Sequence, residues 1–290
     1  MPEIVGIHGI AQQYRGPYQL VDTWFAGIRD GLFAAGHYDT ARSLLPEDVQ
    51  VAFFGDLFRP PGTMAVTDPP FTPSAIRSGL ERDLLTAFYA AAVASDPALA
   101  EPAGAMGAGL VSVQFMLARL ARSKTFARVA QRAFIRDLKQ VTAFLGDPAV
   151  KKAVLARVRM QVDPDTRVVI GHSLGSVVAY EYLCQEQPGS VELLVTAGSP
   201  LGIPNVVFDR LTPAPVAGAG RWPGRLASWV NVADQDDIVA LRKDLAPLFP
   251  GTTQRVRVID RLVDNGDEPH AIGHYLSAAQ TGSALGDVLR

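Results

Sequence analysis

The five residues Gly171-His172-Ser173-Leu174-Gly175 have the types and spacing best suited to chemistry in this chain. A serine hydroxyl is a poor nucleophile near neutral pH unless the backbone presents it and a base takes its proton. Small residues two positions either side of the serine let a strand reverse abruptly into a helix, with the hydroxyl lifted out at the apex. Val168-Val169-Ile170 supplies the apolar strand before the turn, and Leu174, Val177, Val178 and Ala179 open a helix with a face to bury after it. The first N–H groups of that helix and its positive dipole end lie beside Ser173. The N–H of Leu174 is therefore a candidate donor to a negative oxygen forming there.

Such a serine needs an imidazole within hydrogen-bond reach and a carboxylate to orient it, and in a strand-turn-helix arrangement of this kind both come later in the chain, acid before histidine. Five histidines are present. His172 sits inside the turn and is expected to point away from Ser173, His37 lies in a surface-like turn, and His8 ends the first strand. His270 and His274 remain. His270 is preferred, because it follows the turn-like Asn265-Gly266-Asp267-Glu268-Pro269 and precedes a short helix, with His274 as the alternative. For the acid, the strand Ser228 to Ala233 runs into Asp234-Gln235-Asp236-Asp237-Ile238-Val239. Three carboxylates cannot all be buried beside one imidazole, since like charges repel and take up protons. One is thus expected to orient the base and two to be solvated. Asp237 is the first choice, Asp234 the second, and Asp236 stays open. A second oxyanion donor is expected at the N–H of Ile10, because His8-Gly9-Ile10-Ala11 turns directly after an apolar strand.

The elements that must position these residues alternate. Strands are predicted over Glu3 to His8, Val49 to Phe54, the run before Ser173, Val191 to Ala197, Ser228 to Ala233 and Arg255 to Leu262. Asp22 to Ala35, with Trp24, Phe25, Ile28, Leu32 and Phe33 at helical spacing, is the helix after the first strand. Alternation calls for α/β architecture, a mainly parallel six-stranded sheet with helices on both faces. Prolines and turn residues dominate from Arg59 to Thr72. From Pro73 to Met160 the chain is helical in character, with helices predicted over Ile76 to Ala94, Gly104 to Ala121, Phe126 to Leu145 and Ala149 to Val162. That exceeds what one crossover needs. Residues 59–145 are therefore expected to form a helical cap inserted in one domain spanning 1–290, with the apolar segment Gly104 to Leu117 either lining an acyl pocket or packing between helices.

With 48% hydrophobic residues the chain can bury a sizeable core. A net charge of −2 and a pI near 6.2, with no dense basic stripe, argue against nucleic acid as the main partner. The Arg and Lys residues between Arg119 and Lys152 recur at helical spacing and are expected to form a solvated helix face. The single cysteine, Cys184, forbids an internal disulfide, and no basic leader precedes the first apolar strand, so a cytoplasmic location is expected. The longest uncharged run, Pro102 to Ala118, is too short to span a membrane, though it can touch lipid or an acyl chain.

The elbow Gly171-His172-Ser173-Leu174-Gly175, the His8-Gly9 turn, the acidic cluster after a strand and the late His270 together resemble the α/β-hydrolase superfamily, in particular its lipase and esterase branches. The Gly-His-Ser-Leu-Gly form is common among lipases, and Asp237-Ile238-Val239 is similar to the segment around the acid of fungal lipases. The resemblance covers Ile4 to Asp56 and Arg167 to Leu276 and matches the strands to the third to eighth of the family's sheet. The usual two N-terminal strands are missing, as in smaller members. It implies hydrolysis of a small-molecule or lipid ester with no metal or organic cofactor. A thioesterase or acyltransferase would use the same three side chains, and a catalytically silent binding module would be signalled by loss of one of them.

Overall fold

The computed structural model describes residues 2–59, 71–100, 111–123, 131–253 and 256–289. Among them six strands form one sheet: β1 (Ile4–Ile7), β2 (Val49–Ala52), β3 (Val168–His172), β4 (Leu193–Ala197), β5 (Ser228–Asp234) and β6 (Val258–Val263). Their order is β2-β1-β3-β4-β5-β6 and every neighbouring pair is parallel. β1, β3 and β4 are buried at every residue, which is why they read as unbroken apolar runs rather than alternating ones. Because the strands are parallel, their carboxyl ends share one edge, where the turns after β1, β3, β4, β5 and β6 converge.

The helices, in chain order, are α1 (Pro17–Ala34), α2 (Tyr38–Ser43), α3 (Leu80–Ser95), α4 (Val113–Leu120), α5 (Gln131–Gly146), α6 (Pro148–Arg159), α7 (Leu174–Glu186), α8 (Ile272–Ser277) and α9 (Ala279–Val288). Alternate strand residues serve opposite cores. Val168, Ile170, Leu193 and Val195 pack with α1, α8 and α9, whereas Val169, Leu194 and Trp229 pack with the face that α7 covers. α7 lies against β1, β3 and β4; α6 packs on α7, α5 on α6, α3 on α5 and α4 on α3. Enclosed between sheet and outer helices, α7 is buried continuously from Leu174 to Cys184 and has no polar stripe. Cys184 is part of that packing, and burial pushes its thiol up to about 12.

Helix bounds differ from expectation where local chemistry outweighs periodicity. α1 begins at Pro17, five residues before the expected start, since proline is suited to the first helical position and Leu20 already faces the core. α3 starts at Leu80 after Gly79, whose φ of +84° breaks the run from Ile76. The expected helix over Gly104 to Ala121 is corrected at its start: α4 begins at Val113, where the Ser112 hydroxyl accepts the N–H of Phe115 at 3.1 Å and caps it, and Val111 and Ser112 are not helical. The expected starts at Gly104 and Phe126 and the turn Pro60-Pro61-Gly62 lie outside the described residues. The expectation of a wholly solvated basic face is corrected. Lys139 pairs with Glu81 of α3 at 3.0 Å, and Lys151 with the fully buried Glu181 of α7 at 2.8 Å. The Lys151 ammonium gives the buried Glu181 carboxylate, which also accepts the N–H of Thr212 at 2.9 Å, a partner of opposite charge.

Candidate active site

Ser173 occupies the apex between β3 and α7 with φ 55° and ψ −128°, a backbone conformation that costs a non-glycine residue roughly 1–3 kcal/mol. Its flanking glycines are required by space. A Cβ on Gly171 would lie 2.6 Å from the carbonyl oxygen of Gly175, and one on Gly175 only 2.0 Å from that of Ile7. Gly9, after β1, is equally constrained: a Cβ there would meet Ser173 Cβ at 2.7 Å and Oγ at 3.2 Å. The turn is tied to the sheet by Ser173 N–H donating to Ala197 O at 3.0 Å and Ser176 Oγ donating to Gly171 O at 2.8 Å.

His270, in the turn after β6, and Asp237, after β5, come together: His270 Nδ1 and Asp237 Oδ2 are 2.7 Å apart. Asp237 is buried, and its other oxygen accepts the N–H groups of Val239 and Ala240 at 2.8 and 3.4 Å. Burial by itself would push this carboxyl up. The adjacent imidazole, with hydrogen bonds from His270, Tyr275 and Val239, outweighs burial and holds it at about 2. The same pair requires a glycine opposite, since a Cβ on Gly198 would lie 2.7 Å from Asp237 Oδ2 and 3.0 Å from His270 Nδ1. With Nδ1 turned to the carboxylate, Nε2 is the nitrogen left for a reacting group. Ser173 Oγ and His270 Nε2 are both buried, and neither has a hydrogen-bond partner among the described residues.

The alternatives separate. His274 Nδ1 bonds the carbonyl of Asn265 at 2.9 Å and does not meet the acid. Asp236 is exposed. The expectation that two of the three carboxylates are solvated is corrected for Asp234, which is 3% exposed. It avoids competing for the imidazole because its oxygens accept the backbone N–H groups of Asp236 and Asn265, at 2.7 and 2.5 Å. The latter bond ties β5 to the turn bearing His270. No acceptor among the described residues takes the N–H of Ile10 or of Leu174, the two expected oxyanion donors.

Reading the sequence missed three groups. Tyr275, on α8, donates its hydroxyl to Asp237 Oδ2 at 2.7 Å and accepts the N–H of Asp234 at 2.9 Å, so one carboxylate oxygen serves both a phenol and an imidazole. His172 bonds the backbone oxygen of His270 through Nε2 at 3.0 Å and lies against its ring, with centroids 4.7 Å apart. Gln140, on α5, reaches the loop that contains Ile10. Only the position of Tyr275 after His270 carried any signal, and a tyrosine one turn into a short helix has too many ordinary uses to stand out.

Residues 136–214 match a family model described as PGAP1-like alpha/beta domain, a stretch containing the elbow and the strands on either side of α7. The match falls on β3, α7 and β4 of an all-parallel six-stranded sheet, an arrangement consistent with the α/β-hydrolase fold. The fold and the matched stretch are those of the α/β-hydrolase superfamily. No curated protein and no solved structure gives a significant match. In this α/β-hydrolase, no helix among the described residues is long and apolar enough to cross a membrane.

Two histidines beside the site give the α/β-hydrolase a defined acid response. Burial lowers His8 to about 4; its Nδ1–H donates to Gly9 O and its Nε2 accepts the N–H of Phe54, so it is held neutral. Burial likewise lowers His172 to about 3. In each case the unfolded chain takes up a proton near pH 6.5 and the folded chain does not, so the stability present above 6.5 is lost as the pH falls toward the folded values. His8 alone is expected to remove about 3 kcal/mol of stability between pH 6.5 and 4, with His172 adding in the same direction. Urea unfolding at a series of pH values measures this. A stability independent of pH over that window would show that these imidazoles are not held neutral.

Proposed function

We propose that this protein is a serine hydrolase that cleaves carboxylic esters through an acyl-enzyme on Ser173. The observation that carries this reading is the pair of buried atoms without hydrogen-bond partners, Ser173 Oγ and His270 Nε2, at the carboxyl edge of the sheet, the second on an imidazole already bound to buried Asp237. An unpaired buried hydroxyl on a strained turn is a stability cost with no structural return. Catalytic hydrogen bonds in resting enzymes are often open and close only around substrate.

In the proposed reaction His270 Nε2 takes the Ser173 proton as Oγ attacks the ester carbonyl. Asp237 keeps the imidazole in the Nδ1–H tautomer and stabilises the imidazolium that forms. The N–H groups of Ile10 and Leu174 hold the oxyanion. The leaving alkoxide departs with the proton from His270, and water, activated by the same imidazole, releases the acid and restores Ser173. Helices α3 to α5, stacked outward from α7, belong in this reading to a cap that covers the acyl chain of a small-molecule or lipid ester. The lone Cys184, buried as a packing residue, supports placing the enzyme in a reducing compartment such as the cytoplasm.

A fluorophosphonate probe, which phosphonylates activated serines, tests the reading directly. It is expected to label the wild type at Ser173 and to leave Ser173→Ala unlabelled. Label that persists in the variant would remove Ser173 from the reaction, and a folded wild type that takes no label would overturn the hydrolase reading altogether.

A further inference from the structure

The oxyanion donor Ile10 belongs to a loop whose shape is not self-supporting. Ala11, the next residue, has φ 63°, a left-handed conformation unusual for a residue with a Cβ. Its N–H donates at 3.0 Å to Oε1 of Gln140, which stands on α5 and is separated from it by most of the helical stretch between β2 and β3. The other end of the same carboxamide donates from Nε2 to Gln13 Oε1 at 3.1 Å. Gln140 and Gln13 are 5% and 1% exposed, so the bond between them is made away from water, where neither end can be replaced by solvent without rearrangement, and the bond to half-buried Ala11 lies at its margin. Gln13 is braced from a third side, its carbonyl accepting Arg59 Nε at 2.5 Å.

The consequence concerns which N–H is free. Two successive backbone donors, Ile10 and Ala11, follow the strand end, and Gln140 occupies the second. Turning Ala11 N–H toward α5 holds Ala11 in its left-handed conformation and leaves the N–H of Ile10 as the unspent donor next to Gly9, which itself lies against Ser173. A planar carboxamide that accepts from residue 11 and donates to residue 13 fixes the loop at two points, as a single hydrogen bond would not.

We infer that Gln140 is a positioning residue for the oxyanion donor, through which the helices between β2 and β3 control the geometry of the acyl-transfer site. The inference rests on the serine-hydrolase reading above. It makes the inserted helices part of the catalytic apparatus rather than only a cover over the substrate.

The test is Gln140→Met, which keeps length and removes both polar contacts, set beside Ile28→Val on α1, which loses buried apolar volume in the core on the opposite face of the sheet. With p-nitrophenyl butyrate as probe substrate, Gln140→Met is expected to lower kcat about 10- to 100-fold with KM changed less than about twofold, because a donor displaced by a fraction of an ångström is felt in the transition state more than in the ground state. Phosphonylation of Ser173 by the fluorophosphonate should slow in parallel. Ile28→Val is expected to lower Tm while leaving both rates at wild-type values. Gln140→Glu, which retains the acceptor for Ala11 N–H and loses the donor to Gln13, should fall between wild type and Gln140→Met, and serves as the readout if Gln140→Met does not fold. A wild-type kcat in whichever folded Gln140 variant is obtained, or an equal loss of kcat in Ile28→Val, would overturn the inference. A wild type that takes no probe at Ser173 would instead overturn the hydrolase reading on which it rests.

Discussion

Replacing Ser173 with Ala is expected to lower kcat for p-nitrophenyl butyrate by about 10⁵-fold, and adding His270→Ala to that variant should cost less than about tenfold more. The two side chains act on one event: without the hydroxyl there is no proton for the imidazole to take, so their losses cannot add. What remains is acceleration by the Ile10 and Leu174 N–H groups acting on attack by water. Stability should move the other way. Ser173 Oγ is buried and has no hydrogen-bond partner, so its removal leaves nothing unsatisfied and relieves the desolvation of a hydroxyl. Ser173→Ala should therefore unfold at a denaturant concentration equal to or above that of the wild type, the pattern of a residue kept for activity. Additive losses in the double variant would show that Ser173 and His270 do not work together. A clear drop in the stability of Ser173→Ala would assign the hydroxyl a structural bond.

The second large effect is steric. Gly175→Ala is expected to cost at least about 3 kcal/mol of folding stability, since overpacking a buried contact commonly costs 1–3 kcal/mol and here the obstacle is backbone. The new Cβ would stand 2.0 Å from Ile7 O and 2.6 Å from His8 O, so β1 must retreat from the start of α7. A side chain tip could swing aside; two carbonyls at the end of a central strand cannot. Because β1 leads directly into His8, Gly9 and Ile10, activity should fall with stability. Gly273→Ala, at a position where a Cβ meets nothing within 4 Å, is the matched control and should be neutral or stabilising by up to about 1 kcal/mol. Urea denaturation of both variants reads the difference. Equal midpoints would mean that the approach of α7 to β1 is looser than these distances indicate.

The parts of the site legible in the sequence were those that local backbone rules control. Gly171 and Gly175 announce the elbow because only glycine fits the crossing backbones there, a requirement that the distances to Gly175 O and Ile7 O bear out. The strands of the sheet were legible for a related reason. Strands buried on both faces must be continuously apolar, and runs such as Val168 to Ile170 and Leu193 to Ala197 have few other uses in a chain of this composition. The turn before His270 and the Ile238-Val239 after Asp237 favour these two residues, but spacing does not decide between them and their neighbours. Asp234, Asp236 and Asp237 lie within four residues of one another. What separates them is which backbone N–H groups reach which carboxylate, and that depends on how the turns after β5 and β6 fold against each other.

The amino-acid sequence by itself determined the layered architecture, the elbow and its serine, because hydrophobic period, strand-forming runs and the conformational demands of glycine act over a few neighbouring residues. The tertiary structure decided everything that needs two distant segments in contact. It paired His270 with Asp237 at 2.7 Å, set Tyr275 and His172 around them, and brought Gln140 to Ala11 across 129 positions of chain. A glutamine on a helix or a tyrosine near the end of the chain carries no mark of its partner, for a hydrogen bond is specified by the position of both its ends and local sequence supplies only one.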